Sequence, residues 1–224
     1  MTLLIFDCDG VLVDSEIFHA QIESDIGREM LGINRDLWSH HRRFSGGGLK
    51  NLYIAWEQEL GRPLSPDVDK EMAHRKNEAF ATQLKAIPYV AEALSQLPQI
   101  QRCVASGSPL PTLEIALRTT NLYEYFGSNI FSSESVPRGK PAPDIFLFAA
   151  QQMGVDPKDC LVIEDSVHGV NAALAAQMKV VGFVGGGHCL PEHAEKLRGA
   201  NRIIADMREL PAVVRDFCDG KMVA

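Results

Sequence analysis

The segment FDCDGVLVDSE at residues 6–16 contains two aspartates, Asp7 and Asp9, directly after an apolar run. If the strand continued straight, both carboxylates would lie on one face and Cys8 would point to the other. The glycine that follows, Gly10, allows a turn that lifts Asp9 while Asp7 stays in place. An aspartate can attack a phosphoryl group to form an aspartyl-phosphate, and a second acid can move the protons of that reaction. The pair therefore predicts a nucleophile beside a general acid and base.

Polar residues also follow two other apolar runs, as Ser106-Gly107-Ser108 and as Glu164-Asp165-Ser166. In open parallel sheets ligands bind outside the carboxyl ends of the strands, so these residues are expected to meet the two aspartates at one edge. Acids converging there would repel one another unless a cation lay among them, and hard oxygen ligands favour Mg²⁺. Asp165-Ser166 could by itself be a helix cap. Three polar strand ends together favour a magnesium site.

A phosphate dianion at this edge would need further positive and hydrogen-bonding partners. Lys140, in GKPAPD after the third predicted strand, is expected to supply positive charge, although a loop lysine can also be only a solvated side chain. The Ser106 hydroxyl and the backbone amides around Gly107 are expected to bind phosphate oxygens at the start of the following helix. The predicted ligand is therefore a small-molecule phosphate ester.

Short β-rich apolar runs alternate with helical patterns along the chain, which indicates parallel βαβ units and an α/β fold. Their high Val, Ile and Leu content suits strands that are buried on both faces of a sheet. The predicted strands are TLLIF (2–6), QRCVAS (101–106), NIFSS (129–133), CLVIED (160–165), KVVGFV (179–184) and NRIIA (201–205).

A stretch from about Ser15 to Lys85 interrupts this pattern after the first strand. Its apolar residues recur with helical spacing, and it contains no convincing strand. Proline disfavours helix in the residue before it, which predicts a second hinge near Ile87–Pro88. We therefore expect a core domain made of residues 1–15 and 88–224, with an all-helical cap domain inserted over residues 16–87.

The composition predicts a folded globular protein, since 46% of the 224 residues are hydrophobic and 23% are charged. The formal net charge of −7 argues against nucleic-acid binding, which requires concentrated basic patches. One local basic cluster is expected to be a solvated helix end or a rim that meets an anionic small molecule. It consists of His40, His41, Arg42 and Arg43.

The five cysteines are odd in number and form no CxxC pair, which argues against a disulfide framework or a thiolate zinc site. The apolar run at residues 3–6 ends at Asp7 and lacks the basic flank of a signal peptide, and no stretch reaches the length of a membrane span. We therefore expect a cytoplasmic protein with no membrane partner. A monomer is the default expectation for an enzyme whose own cap closes its site.

Four motifs resemble those of the haloacid dehalogenase superfamily, in the subgroup with a helical cap that includes sugar-phosphate phosphatases and β-phosphoglucomutase. FDCDGVLVDSE resembles the first motif, VASGS the second, GKPAPDIF the third and VIEDSVHGVNAALAA the fourth. The resemblance follows the family order and extends over almost the whole chain. It implies a Rossmann-like core and a helical cap.

The resemblance also implies which residues carry the reaction. Asp7 would be the nucleophile and Asp9 the general acid and base. Ser106 and Lys140 would assist catalysis. The phosphate ester would be bound by the residues Gly10, Ser106, Gly107 and Lys140.

The metal ligands implied by the resemblance are the Asp7 side chain, the Asp9 carbonyl and Asp165. Glu164 would be a further ligand or an acid behind the metal, and Asp14 would support the hinge. These acids are typical of magnesium-dependent phosphoryl transfer rather than of dehalogenation.

Two residues of the expected cap, His19 and Lys76, resemble those that β-phosphoglucomutase uses near the active site and at the distal phosphate. Each is equally typical of an ordinary helix position, packed or solvated. Where the mutase carries a phosphate-binding arginine, this sequence reads SGGGLK at residues 45–50, and Pro109-Leu110 replaces a polar pair after the second motif. These departures favour a phosphatase. Tyr89 replaces the glycine that is common after the proline of the second hinge.

The segment GGGHCLPEH at residues 185–193 contains His188, Cys189 and His193, which could be read as a metal cluster. A flexible glycine-rich loop with a helix start at Pro191 is the favoured interpretation. The segment is therefore not included in the predicted site.

The predicted function is a Mg²⁺-dependent phosphatase that hydrolyses sugar, sugar-acid or polyol phosphates through an aspartyl-phosphate. The first alternative is a phosphomutase of the β-phosphoglucomutase kind acting on sugar 1-phosphates. The second is a non-catalytic binding protein on the same fold, which the presence of Asp7, Asp9 and Lys140 disfavours.

Overall fold

The computed structural model describes residues 2–44 and 48–222. It contains a six-stranded sheet in which every neighbouring pair of strands is parallel. The strands are β1 (Leu3–Phe6), β2 (Gln101–Ser106), β3 (Ile130–Ser132), β4 (Cys160–Glu164), β5 (Lys179–Phe183) and β6 (Arg202–Ile204). The expected parallel α/β sheet is confirmed.

The strand order across the sheet is β3-β2-β1-β4-β5-β6. The order reverses between β1 and β4, and ligands of open α/β sheets bind beyond the carboxyl ends of the strands at such a point. All four residues of β1 and all five of β4 are buried. Burial on both faces explains why these strands read as unbroken apolar runs.

The helices of the described residues are α1 (Glu16–Leu31), α2 (Leu37–Phe44), α3 (Gly48–Leu60), α4 (Pro66–Thr82), α5 (Val90–Ser95), α6 (Leu110–Thr119), α7 (Asp144–Met153), α8 (Val167–Ala175), α9 (His193–Lys196) and α10 (Leu210–Cys218). Phe146 and Ala149 of α7 belong to one buried apolar cluster with Leu3, Ile5 and Val162 of the sheet. Burial of such side chains is the main stabilising contribution in this layer. No described helix combines the length and the apolar character that crossing a membrane would require.

The chain divides into two compact units, one made of Met1–Asp14 with Lys85–Ala224 and the other of Ser15–Leu84. The described part of the second unit is helical, comprising α1 to α4, and contains no strand. The roles of the two units as core and cap, with boundaries at 15/16 and 87/88, stay predictions.

The helical unit has its own apolar core around the fully buried Trp56. Helix α1 packs against this ring at Gly27, where a Cβ would lie 3.4 Å from the indole, an ordinary van der Waals contact. Gly32 ends α1 in the left-handed conformation, with φ 71°. Of the segment SGGGLK, residues 45–47 lie outside the described residues, while Leu49 and Lys50 belong to α3.

The basic cluster on α2 differs from the sequence expectation. Arg42 and Arg43 are exposed, but His40 and His41 are buried. His40 packs against Phe44 and its Nε2 lies 3.1 Å from Glu23 Oε2. The cluster does end α2, but packing within the helical unit buries the two histidines, so the interpretation of all four residues as solvated was wrong.

Tyr89 has φ 64°, which is the left-handed region that glycine adopts without steric cost. This conformation explains why a glycine is common at the position. The Arg208 guanidinium lies 4.0 Å from the centre of the Tyr89 ring, a cation–π contact that offsets part of the strain.

Candidate active site

The acids of the first and fourth motifs meet where β1 and β4 lie side by side. Phe6 is paired in register with Ile163, so Asp7 leaves β1 at the level where Glu164 ends β4. The Asp7 amide donates to the Ile163 carbonyl over 2.9 Å, which continues the ladder by one residue. The carboxyl ends of the two strands therefore place Asp7, Glu164 and Asp165 together.

Lys140 joins this group from the loop before α7. Its Nζ lies 2.8 Å from Asp7 Oδ1 and 2.6 Å from Glu164 Oε1, and only 11% of its side chain is exposed. Burial alone lowers the pKa of this ammonium group, but the charges of Asp7 and Glu164 outweigh that effect and raise the pKa above its ordinary value. Lys140 is therefore a fixed positive charge between two carboxylates.

The acid cluster of Asp7, Glu164 and Asp165 offers three carboxylate oxygens within 4.8 Å of one another, all from buried residues. Burial, followed by the charges of neighbouring acids, raises the pKa of Asp7 and of Asp165, and Lys140 opposes the shift. A surplus of buried carboxylates over a single lysine is stabilised by a further cation. Hard oxygen donors in this number suit Mg²⁺, so the residues present fit such an ion.

Glu164 is held by protein donors at both carboxylate oxygens. Besides Lys140 at Oε1, the amide and the hydroxyl of Ser166 donate to Oε2 over 2.8 and 2.9 Å. The Ser166 hydroxyl also accepts from the Gly169 amide and so caps α8. A Cβ at Gly169 would overlap the Glu164 carboxylate. Glu164 is thus positioned to orient Lys140, and its part as a metal ligand stays a prediction.

Asp9 lies in a different environment from Asp7. It is half-buried, and the Ser108 hydroxyl donates to its Oδ2 over 2.7 Å. The Ser108 amide in turn lies 3.2 Å from Ser106 Oγ, at the end of β2. Hydroxyl donors from residues 132 and 133 hold the carbonyls of Ser108 and Gly107. The end of β2 therefore brings Ser108 to Asp9, and the binding of phosphate by Ser106 and Gly107 stays a prediction.

Ser108 is a candidate site residue to which the sequence analysis gave no role beyond its place at this edge. It lies two positions after Ser106 in the same polar strand end. That position is the only signal in the sequence, because the partner Asp9 is 99 residues away along the chain.

Gly10 is required for two reasons. Its φ is 75°, and a Cβ at this position would overlap the Asp165 carboxylate and lie 2.8 Å from His188 Cε1. The backbone of the first motif therefore passes directly against Asp165, which only glycine allows.

The loop after β5 reaches the same edge, although residues 185–193 were left out of the predicted site. His188 is buried, with Nε2 3.0 Å from Asp165 Oδ2. His193 Nε2 lies 2.6 Å from the Asp165 carbonyl oxygen. Because β5 is the neighbour of β4, its carboxyl end opens at the same edge of the sheet. Burial lowers the pKa of His193.

Asp14 also contacts this loop, since its Oδ1 accepts from the Gly187 amide over 2.9 Å. The Asp14 amide donates to the Lys85 carbonyl, where the chain returns from the helical unit. These contacts fit the predicted support of the hinge, which stays a prediction.

His19 and Lys76 each have a partner within the helical unit. The His19 ring stacks on Phe80 at a centroid distance of 5.3 Å. Lys76 Nζ donates to Glu23 Oε1 over 2.8 Å. The role of both residues in binding substrate stays a prediction.

The family model of haloacid dehalogenase-like hydrolases matches residues 1–177. A 6-phosphogluconate phosphatase of Escherichia coli (strain K12) is 30% identical over 190 residues, which is 84% of this chain and 85% of the relative.

Two solved structures are similar over nearly the whole chain. A conserved haloacid dehalogenase-like protein of unknown function from Agrobacterium tumefaciens is 40% identical with a TM-score of 0.89, and the match covers 97% of this chain and 99% of that one. A family hydrolase from Deinococcus radiodurans, with bound phosphate and sodium, is 33% identical with a TM-score of 0.82, over 97% and 96% of the two chains. The resemblance drawn from the four motifs is confirmed, and the chain belongs to the haloacid dehalogenase-like hydrolases.

Proposed function

We propose that the protein is a Mg²⁺-dependent phosphatase that hydrolyses small phosphorylated metabolites, in the class of sugar, sugar-acid and polyol phosphates, through an aspartyl-phosphate. The observation that carries the proposal is the contrast between the two aspartates. Asp7 is buried against Lys140, whereas Asp9 is half-buried and bound by the Ser108 hydroxyl. The relative named as a 6-phosphogluconate phosphatase supports the substrate class.

In the proposed first step, a carboxylate oxygen of Asp7 attacks the phosphorus atom of the ester. A bond forms between that oxygen and phosphorus, and the bond from phosphorus to the alcohol oxygen breaks. Asp9 gives its proton to the departing oxygen. Lys140, held at hydrogen-bonding distance from Asp7, balances the negative charge that gathers on the phosphoryl group.

In the second step, water attacks the phosphorus atom of the aspartyl-phosphate. Asp9 takes a proton from the water, and the bond between phosphorus and the Asp7 oxygen breaks to release inorganic phosphate. The Ser106 hydroxyl and the amides around Gly107 would bind phosphoryl oxygens through both steps. Mg²⁺ held by Asp7, Asp165 and the Asp9 carbonyl would supply positive charge at those same oxygens.

The test is inorganic phosphate release from a panel of sugar, sugar-acid and polyol phosphates, measured with Mg²⁺ and with chelator. We expect Mg²⁺-dependent release that Asp7→Asn reduces by roughly a thousandfold or more, because the nucleophile is lost. Asp9→Asn is expected to lose about 10²- to 10⁴-fold, the range of general acid and base catalysis.

Asp219→Asn is the matched control, since this aspartate is exposed, and thermal unfolding checks that each variant folds. Normal turnover by a folded Asp7→Asn protein would contradict the mechanism. Conversion of a sugar 1-phosphate into an isomer without phosphate release would instead identify the phosphomutase.

A further inference from the structure

The loop after β5 gathers three nitrogen and sulfur donors in a second cluster, which consists of His188, Cys189 and His193. One ligand atom from each of the three lies within 4.8 Å of the others. Cys189 Sγ is 3.4 Å from His188 Nε2. Two donors on one tetrahedral Zn²⁺, at the usual bond lengths to sulfur and nitrogen, lie about 3.5 Å apart. The spacing is therefore that of ligands to a single ion.

We propose that His188, Cys189 and His193 form a binding site for a borderline or soft transition-metal ion, with Zn²⁺ as the fitting example. Thiolate and imidazole donors select such ions, whereas the neighbouring acid cluster offers only oxygen. Cys189 and His193 are half-buried while His188 is buried. The two clusters thus differ in donor chemistry, and the same protein holds a hard-ion site and a soft-ion site side by side.

Asp165 connects the two clusters. Its Oδ2 lies 3.0 Å from His188 Nε2, and its carbonyl oxygen lies 2.6 Å from His193 Nε2. His188 Nε2 is the nitrogen that lies 3.4 Å from Cys189 Sγ, so an ion bound there replaces the contact with the Asp165 carboxylate or takes that carboxylate as its fourth ligand. The contact of His193 Nε2 with the Asp165 carbonyl can remain while the other ring nitrogen binds the ion. Either change at the carboxylate displaces an acid that the proposed function assigns to Mg²⁺. Zinc binding is therefore expected to inhibit phosphate release, and this second part of the inference rests on the proposed function.

Binding is tested without any enzyme assay by titrating the whole protein with Co²⁺ in excess Mg²⁺, which occupies the oxygen site. We expect one equivalent of Co²⁺ to give the near-ultraviolet absorption of a cobalt–thiolate bond and the visible bands of tetrahedral cobalt, and Zn²⁺ to displace it. Cys189→Ser is expected to lose the thiolate absorption. Cys189→Ser and His193→Gln should each weaken Co²⁺ binding by at least about tenfold. Removing even a group that only supports a metal ligand costs about that much affinity, and these variants remove the ligand itself.

Cys218→Ser is the matched control, because Cys218 is a free and exposed thiol, and we expect it to bind Co²⁺ as the unaltered protein does. The proposed site is overturned if the spectrum shows no thiolate absorption. It is also overturned if Cys218→Ser loses that absorption and Cys189→Ser retains it.

Inhibition is tested by adding micromolar free Zn²⁺ to the phosphate-release assay in excess Mg²⁺, with each variant compared to its own rate without zinc. We expect zinc to inhibit the unaltered protein and Cys218→Ser. Cys189→Ser should require a zinc concentration about tenfold or more higher for the same inhibition. Binding without inhibition would retain the site and overturn the link through Asp165. If no substrate is hydrolysed at all, the proposed function fails while the cobalt spectra still decide the site.

Discussion

Two lysines of this protein, Lys140 beside the acid cluster and Lys76 in the helical unit, were both predicted to bind phosphate. Each is half-buried and paired with acids. Lys140 bonds two carboxylates, those of Asp7 and Glu164, at 2.8 and 2.6 Å. Lys76 bonds one, that of Glu23, at 2.8 Å. Their side chains are similarly enclosed, with 11% and 16% exposed. Burial and ion pairing alone therefore do not distinguish them.

The balance of charge does distinguish them. Around Lys140 the described acids outnumber the lysine, and burial with like charge raises the pKa of Asp7. In the helical unit the single acid Glu23 contacts both Lys76 and His40. Although burial alone would raise the pKa of Glu23, the hydrogen bond from His40 and the charge of Lys76 lower it. A cluster with surplus acid requires another cation, whereas a balanced cluster is complete without one. The acid surplus, rather than the paired lysine, marks the candidate active site.

Among the variants that test this comparison, Lys140→Met should show the largest loss of activity. It removes the cation that balances the acid cluster, so phosphate release should fall by about 10²- to 10³-fold, as when an enzyme loses one group that stabilises developing charge. Mg²⁺ should raise the melting temperature of the variant more than that of the unaltered protein, because the three acids then attract a cation more strongly. Phosphate-release assays and thermal unfolding with and without Mg²⁺ measure both effects.

Lys158→Met is the control for that variant, since 74% of the Lys158 side chain is exposed. It should change neither quantity. Equal phosphate release by the two variants would contradict the proposed role of Lys140 in catalysis.

Gly10→Ala should have the next largest effect, and Gly32→Ala is its matched control. Both glycines have positive φ, 75° and 71°, so backbone strain alone should cost each alanine variant about 1–2 kcal/mol of unfolding free energy, and the overlap at Gly10 adds to its cost. Only at Gly10 does the added Cβ overlap the Asp165 carboxylate, since it meets nothing within 4 Å at Gly32. Phosphate release should therefore fall by about 10²-fold in Gly10→Ala alone, because the acid at the proposed metal site is displaced.

Thermal unfolding adds a second readout for the glycine pair. Mg²⁺ at a hundred times its dissociation constant stabilises a protein by about 2.7 kcal/mol. This gain should be retained in Gly32→Ala and diminished in Gly10→Ala. An equal gain in both variants would show that Asp165 does not take part in metal binding.

The smallest effect is expected in the balanced cluster. Glu23→Gln should lower the free energy of unfolding by about 2 kcal/mol near pH 7, because Glu23 accepts hydrogen bonds from Lys76 and His40. The folded pKa of Glu23 is lowered, so its contribution is complete above the unfolded pKa and disappears as the pH falls through the folded value. The difference between the two proteins should therefore shrink below about pH 4.

Denaturant unfolding over a pH series measures this difference, with Glu78→Gln on the exposed face of α4 as the control. Lys76→Met should lose a similar amount of stability. A higher KM in Lys76→Met without a loss of stability would instead support its predicted role in substrate binding.

The sequence by itself determined the local elements and the positions of the chemical groups along them. Each strand contains a short apolar run, and the helical spacing over the inserted segment is equally local, so both could be recognised without knowing their neighbours. Parallel strands share one carboxyl edge, and for this reason Asp7, Ser106 and Asp165 could be expected to lie near one another.

Only the tertiary structure decided which of these groups touch. The adjacency of β1 and β4 places Lys140 between Asp7 and Glu164, and the Ser108 contact with Asp9 joins residues that are distant along the chain. The contact of His188 with Asp165 and the burial of His40 arise in the same way. Such contacts depend on packing between separate segments, whereas periodicity reports only on a residue's neighbours along its own strand or helix.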